Sequence, residues 1–366
     1  MAKLVIFRVD ASLEIGTGHV MRCLTLARAL QIKKVRAEFI CRNHEGNLID
    51  FIERDGFTVH TIPKIEGKDS RSITPIRKDS NTLDHASWLG VSQERDIRDS
   101  SLILGKLGPD WLIVDHYALD KTWETGVHSL YSKLMVIDDL ADREHACELL
   151  LDQTFGRNEA DYEHLVPSAC LLLTGSMYAL LRTEFSHWRE KSLKRRKNVQ
   201  FDRLLITMGG IDKDNITEKI IDQLEECDLH SDLEITIVMG PSAPYLSNIL
   251  DKVTKSHLKL SVESNVTDMA ELMSNSDFCI GASGATTWER SCLGLPTIQI
   301  ILADNQGTIA KNVSNYGAAL TIRSDEVASL DYHIKRLKRD AETLVSRSSA
   351  ITDGKGTDLV LDHLLC

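Results

Sequence analysis

Gly16-Thr-Gly-His19 sets an imidazole behind a glycine turn, where a strand-like run (Leu4–Val9) gives way to a helical pattern with Val20, Leu24, Ala27 and Leu30 in step. An imidazole titrates near neutrality and can take a proton from water. Gly16 and Gly18 permit a tight turn and close approach of the backbone to a ligand. The helix start behind them offers free N–H groups and the positive end of its dipole. The segment is not a Walker A loop, because no Gly-Lys-Ser/Thr follows, nor a dinucleotide fingerprint, because Met21 stands at the third glycine position. Arg22, one turn on, either faces the same side as His19 or is an ordinary surface arginine.

Two further groups sit at predicted strand ends. Trp111–Asp115 ends in Asp115-His116-Tyr117, and Leu134–Ile137 ends in Asp138-Asp139, with Asp142 and Arg143 just beyond. In a parallel sheet these ends share an edge with Gly16–His19. Paired aspartates can bind a metal or anchor loops; we read them as anchors that orient Arg143 or the catalytic groups, and expect no metal site. In the second half, Gly209 and Gly210 follow one strand, and Phe278–Glu289 runs strand, glycine turn, helix. Ser283, Gly284 and Thr286 can offer N–H groups and hydroxyls to a phosphate. Glu289 either complements the helix dipole or accepts from a ribose diol. Asn305 and Gln306 carry amides toward the same edge, Asn305 having an ordinary N-cap as its alternative role.

These residues need a scaffold of alternating strands and helices, and the pattern predicts α/β architecture: two Rossmann-like domains facing a cleft. The chain has 366 residues, enough for two domains of ~100–200 residues. The expected division is 1–185, a linker at 186–200 containing the basic run Lys194–Lys197, and 201–366, whose last helix packs back on the first domain. Residues 63–100 read as a polar loop followed by a helix near Gln93–Leu104. With 54 acidic and 43 basic residues the net charge is −11, which disfavours nucleic acid as a partner but admits one small anionic ligand. No apolar run is long enough for membrane insertion, and no h-region follows the N-terminus, so the chain is expected in the cytoplasm. The eight cysteines show no zinc spacing and read as reduced core thiols.

Phe7-Arg-Val-Asp-Ala-Ser12 and Gly16-Thr-Gly-His-Val-Met-Arg-Cys-Leu-Thr-Leu-Ala27 resemble the opening of the UDP-2,4-diacetamido-2,4,6-trideoxy-β-L-altropyranose hydrolases of pseudaminic acid biosynthesis. The similarity continues through Trp88-Leu-Gly90, Val114–Asp120, Ile137–Arg143, Leu150–Gln153, Tyr178–Arg182, Met208–Asp212, Gly281–Glu289 and Asp304–Gln306, in order, over essentially the whole chain. The resemblance implies a GT-B-like fold, UDP held mainly by the C-terminal domain, no metal or cofactor, and water as acceptor. It implies His19 as the base, with Tyr117 and Asn305 as further catalytic residues. Gly16, Gly18, Arg22, Arg143, Gly209, Gly210, Ser283, Gly284, Thr286, Glu289 and Gln306 are then expected to bind substrate. The expected reaction releases UDP and the free sugar with inversion, and requires no obligate protein partner. A glycosyltransferase of the same architecture using a UDP-amino sugar is the alternative.

Overall fold

A computed structural model describes residues 3–64, 83–264 and 266–365. The chain divides into two compact units, Met1–Tyr178 with Thr357–Cys366, and Ala179–Gly356. The first contains β1 (Leu4–Val9), α1 (Gly18–Ile32), β2 (Arg36–Arg42), α2 (Ile49–Arg54), β3 (Thr58–Ile62), α3 (Gln93–Leu107), β4 (Trp111–Asp115), α4 (Lys121–Val127), β5 (Lys133–Ile137), β6 (Leu149–Asp152) and β7 (Leu171–Thr174). The second contains α5 (Thr183–Arg195), β8 (Arg203–Thr207), α6 (Ile216–Glu225), β9 (Glu234–Val238), α7 (Leu246–Lys255), β10 (Lys259–Glu263), α8 (Met269–Asn275), β11 (Phe278–Ala282), α9 (Thr286–Cys292), β12 (Thr297–Ile301), α10 (Gly307–Tyr316), β13 (Leu320–Arg323) and α11 (Leu330–Ser349). The closing helix, α12 (Gly356–Leu365), falls with the first unit.

Each unit is a parallel sheet, ordered β3-β2-β1-β4-β5-β6-β7 and β10-β9-β8-β11-β12-β13. Every residue of β1, β4 and β11 is buried, as strands covered on both faces require; that is why they read as nearly continuous apolar runs. At the edge, β10 alternates exposed and half-buried residues. The first core joins Ile6, Leu112, Val114 and Val136 to Trp123 and Leu104. The second joins Ile206, Ile237 and Ile280 to Ile220, Leu224 and Leu337.

The strands β6 (LLLD) and β13 (LTIR) were not among the sequence-based expectations; with four residues each they carry too little pattern to stand out. Residues 186–200 differ from the expected linker. Thr183–Arg195 is helical, and Arg196 is buried, donating to the carbonyls of Met273, Ser276 and Leu293 at 2.9, 2.8 and 2.9 Å. Arg196 thus satisfies carbonyl groups at the ends of α8 and α9, where helices leave acceptors unpaired. Part of the polar 63–100 segment, 65–82, lies outside the described residues. After it, α3 begins at Ser92, whose hydroxyl accepts from the Arg95 N–H. Cys23, Cys41, Cys147, Cys279 and Cys292 are free and buried.

Candidate active site

In the first sheet the chain steps outward from β1 to β3, then returns to β4 on the other side of β1. Open α/β sheets place ligands at such a reversal, beyond the carboxyl ends of the strands. The register sets Asp115 beside Val9, so the tip of β4 faces the loop leaving β1. That loop closes with the Gly16 N–H donating to the Ser12 carbonyl at 2.9 Å, and Gly16 takes φ +78°. A left-handed backbone there suits glycine. A Cβ on Gly16 or Gly18 would meet no heavy atom within 4 Å, so the turn is bare on its outer side.

The turn delivers His19, at the start of α1, to Asp115. His19 Nδ1 lies 2.6 Å from Asp115 Oδ1. An ionised carboxylate only accepts, so Nδ1 carries the proton and Nε2 presents its lone pair. Nε2 has no hydrogen-bond partner among the described residues. Arg22 is buried rather than a surface arginine, and its donors turn inward. Its Nε and Nη2 reach the two oxygens of Asp115 at 2.6 and 2.7 Å, and its Nη1 binds Asp139. Burial opposes the charge on Asp115, but Arg22 and His19 outweigh it and hold the carboxyl well below its usual range.

Tyr117 donates its hydroxyl to Asp139 Oδ2 at 2.8 Å. Burial, then the Asp139 charge, pushes the phenol well above its usual range, so it is a neutral donor. Arg143 is held by Asp138 at 2.8 Å, Asp142 at 2.9 Å and the Leu119 carbonyl at 2.9 Å, and lies over the Tyr117 ring at 5.7 Å. Asp138 also accepts the Ala141 N–H at 2.9 Å and the Tyr162 hydroxyl at 3.0 Å. Asp138 is thus engaged by an arginine, backbone and a phenol, whereas Asp139 uses only Oδ2 and its Oδ1 is buried without a hydrogen-bond partner among the described residues. His116 accepts the Ala118 N–H at Nδ1, 3.1 Å, and turns Nε2 toward buried Asp10 at 3.2 Å.

The second sheet reverses at β8 and β11. Gly209 takes φ +86°, and a Cβ on Gly240 would stand 2.1 Å from the Gly210 oxygen, so the Gly209-Gly210 turn is packed backbone to backbone. Asp212 accepts the N–H groups of Ile216 and Thr217, both at 2.9 Å, at the start of α6. Beyond β11, buried Arg290 donates to the Ala282 carbonyl at 2.8 Å and Thr286 Oγ1 at 2.9 Å. It underpins the turn carrying Ser283 and Gly284. A Cβ on Gly281 would meet its Nη1 at 2.7 Å. Gln306 accepts the Leu302 N–H at 3.0 Å and sets Nε2 3.8 Å from where a Gly284 Cβ would be. Ser283 Oγ and Asn305 Oδ1 are buried without hydrogen-bond partners among the described residues. Asn305 caps no helix: α10 starts after Gln306 and has no side-chain cap. Glu289 lies 4.0 Å from Arg182, and burial raises its pKa against the pull of that arginine.

The first unit therefore brings together Gly16, Gly18, His19, Arg22, Tyr117 and Arg143. The second brings together Gly209, Gly210, Ser283, Gly284, Thr286, Glu289, Asn305 and Gln306 along one sheet edge. Sequence reasoning missed the pairing of Asp115 with His19 and the support from Arg290. An acid closing an apolar strand was a signal for the first; nothing local marks the second.

Residues 203–360 match the glycosyltransferase family 28 C-terminal domain. The chain resembles the UDP-2,4-diacetamido-2,4,6-trideoxy-beta-L-altropyranose hydrolase of Campylobacter jejuni, with 28% identity over 86% of this chain and 97% of that protein. It is 27% identical to the uncharacterized protein MJ1062 of Methanocaldococcus jannaschii over 79% of this chain, but spans only 54% of that protein's length. The structure matches MurG of Acinetobacter baumannii with a TM-score of 0.65 at 14% identity, covering 99% of both chains. The fold is GT-B-like: two Rossmann-like α/β units.

Proposed function

We propose that the chain, which resembles these hydrolases in sequence, hydrolyses the glycosyl bond of UDP-2,4-diacetamido-2,4,6-trideoxy-β-L-altropyranose in pseudaminic acid biosynthesis. The observation that carries this reading is the His19–Asp115 pair: a buried carboxylate fixes the Nδ1–H tautomer and leaves Nε2 free to accept a proton. Nε2 takes a proton from water as the water oxygen attacks the anomeric carbon. The bond from that carbon to the β-phosphate oxygen breaks, UDP leaves with the electron pair, and the sugar is released inverted. Asp115 stabilises the imidazolium that forms, Arg22 holds Asp115 and Asp139 in place, and Tyr117 is fixed beside the imidazole. A positioned base contributes about 10²–10⁴-fold.

The second unit is proposed to hold UDP. The Gly209-Gly210 and Ser283–Thr286 turns supply N–H groups and hydroxyls for the diphosphate, and Glu289 accepts from the ribose. Ser283 Oγ and Asn305 Oδ1, two of the buried polar atoms without hydrogen-bond partners among the described residues, support this, since an unmet polar atom is costly and a ligand would meet it. In this reading the enzyme acts in the cytoplasm, without metal, cofactor or obligate protein partner. No helix of the described residues is long and apolar enough to cross a membrane.

Phosphorus NMR of the UDP-sugar incubated with the protein and EDTA tests the reaction. UDP should appear without any acceptor, and His19→Asn should slow its release at least about 100-fold. Loss of turnover with EDTA, restored by Mg²⁺ or Mn²⁺, would overturn the metal-free mechanism. The match to a glycosyltransferase C-terminal domain favours a second reading, transfer from a UDP-amino sugar. UDP release that stays negligible until an acceptor is added would select it.

A further inference from the structure

Aromatic rings gather beside His19, and the mechanism above gives two of them, Trp88 and His85, no part. Tyr117 meets the imidazole edge-on, 4.5 Å between centroids at 86°, and Trp88 stands 6.3 Å away at 76°. Trp88 and Tyr117 stack at 5.7 Å and 23°. His85 lies 4.4 Å from Trp88 and 5.5 Å from Tyr117. Trp88 comes from a single 3₁₀ turn, Ala86–Leu89, closed by Gly90 at φ +71° and pinned by Leu89, which is fully buried in the first core. Tyr117 is buried, whereas Trp88 and His85 keep part of their surface open. The bare outer side of Gly16 and Gly18 flanks His19 as well.

We propose that Trp88, backed by Tyr117 and His85, is the stacking platform for the apolar face of the hexose, and that it sets the preference for a deoxygenated, N-acetylated sugar. This rests on the hydrolase reading. The negative face of an indole attracts the C–H groups and methyls that such a sugar presents. Burial lowers the pKa of His85, against the pull of Asp142 and Asp84, so the ring beside Trp88 is a neutral aromatic surface. A sugar with a hydroxyl at C6 would lose hydration against the indole, and an apolar surface discriminates against one added hydroxyl by at most about 100-fold. Trp88 is thus a specificity-determining residue, not a proton carrier.

The test measures calorimetric affinity for UDP and for the UDP-trideoxyhexose, with His19→Asn in the background to stop turnover, and KM and kcat with His19 restored. Trp88→Leu should weaken the UDP-sugar about tenfold, leave UDP unchanged, and raise KM more than it lowers kcat. Trp88→Phe, which keeps a π face, should recover most of that loss. A UDP-N-acetylhexosamine with its 6-hydroxyl should lose less than the deoxy sugar. The platform is overturned by unchanged UDP-sugar affinity in Trp88→Leu, by equal weakening of UDP and UDP-sugar, or by Trp88→Phe behaving like Trp88→Leu. Wild-type protein that holds the UDP-sugar no tighter than UDP, and releases no UDP from it, overturns the hydrolase reading and the platform with it.

Discussion

Asp115→Asn separates the charge of the His19 partner from its shape. Asp115 accepts from His19 Nδ1 at 2.6 Å, from Arg22 Nε and Nη2 at 2.6 and 2.7 Å, and from the Cys23 thiol at 3.5 Å. The amide keeps one acceptor and gains donors where only donors already point, so one arginine bond is lost whichever way it turns. Directed at His19, its N–H also drives the imidazole proton to Nε2 and removes the base. In either orientation the imidazolium formed in the reaction loses its counter-charge and is left with Arg22 beside it. Unit charges ~4 Å apart at an effective dielectric of ~20 interact by ~4 kcal/mol. At about 1.4 kcal/mol per decade, that is a fall in kcat of about 1,000-fold. Arg22 keeps Asp139, so the stability cost is that of an unmet buried group, about 1–3 kcal/mol. The melting temperature should fall by about 2–4 °C per kcal/mol. The assay follows UDP release, with UDP affinity and melting temperature as controls. A folded Asp115→Asn protein with normal UDP affinity and kcat/KM within about threefold of wild type would refute the dyad.

Two other outcomes follow, one from a buried group and one from a close backbone approach. His145 sits between Glu124 at 2.7 Å and Asp138 at 3.8 Å; burial opposes its charge, but those acids raise its pKa from 6.5 to about 9. A raised folded pKa gives stability that is complete below the unfolded value and lost as pH rises through the folded one. The melting temperature should therefore fall between pH 6.5 and 9, by a free energy of at most about 3 kcal/mol. His145→Gln should lower the starting value and flatten the fall; parallel curves for both proteins would contradict the assignment. Gly240→Ala places a methyl 2.1 Å from the Gly210 oxygen, so backbone must move. It should cost about 1–3 kcal/mol of stability and weaken UDP binding, and unchanged calorimetric affinity would count against the Gly209-Gly210 turn as a ligand loop.

The fold was legible where its signals are local. Nearly continuous apolar runs locate β1 and β4 to the residue, and the glycine turn marks the entry to α1. What sequence could not supply was adjacency. His19 and Asp115 are far apart in the chain and meet only because β4 pairs with β1. Spacing leaves Arg22 either beside His19 or on the surface, because the direction of its donors depends on two strand tips that local spacing does not reveal. Residues 186–200 misled for a related reason. A basic run on a polar stretch looks solvated until the carbonyls that take up Arg196 are known. Arg290 under the Ser283 turn left no trace, because its partners are two hydroxyls and one carbonyl of the same short segment.

The placement of α12 bears on the order in which the protein can assemble. Val360, Leu361 and Leu364 of this last helix are buried, and the Trp111 indole donates to the Leu364 carbonyl at 3.0 Å. The second unit is one uninterrupted stretch, Ala179–Gly356, whereas the first is split around it. Domains tend to fold as units, from the N-terminus onward, during synthesis. Here the stretch translated later can close its sheet completely while the earlier one still waits for its final helix. Removal of α12 would consequently wound the unit that carries His19, distant from it in sequence, and leave the other unit whole.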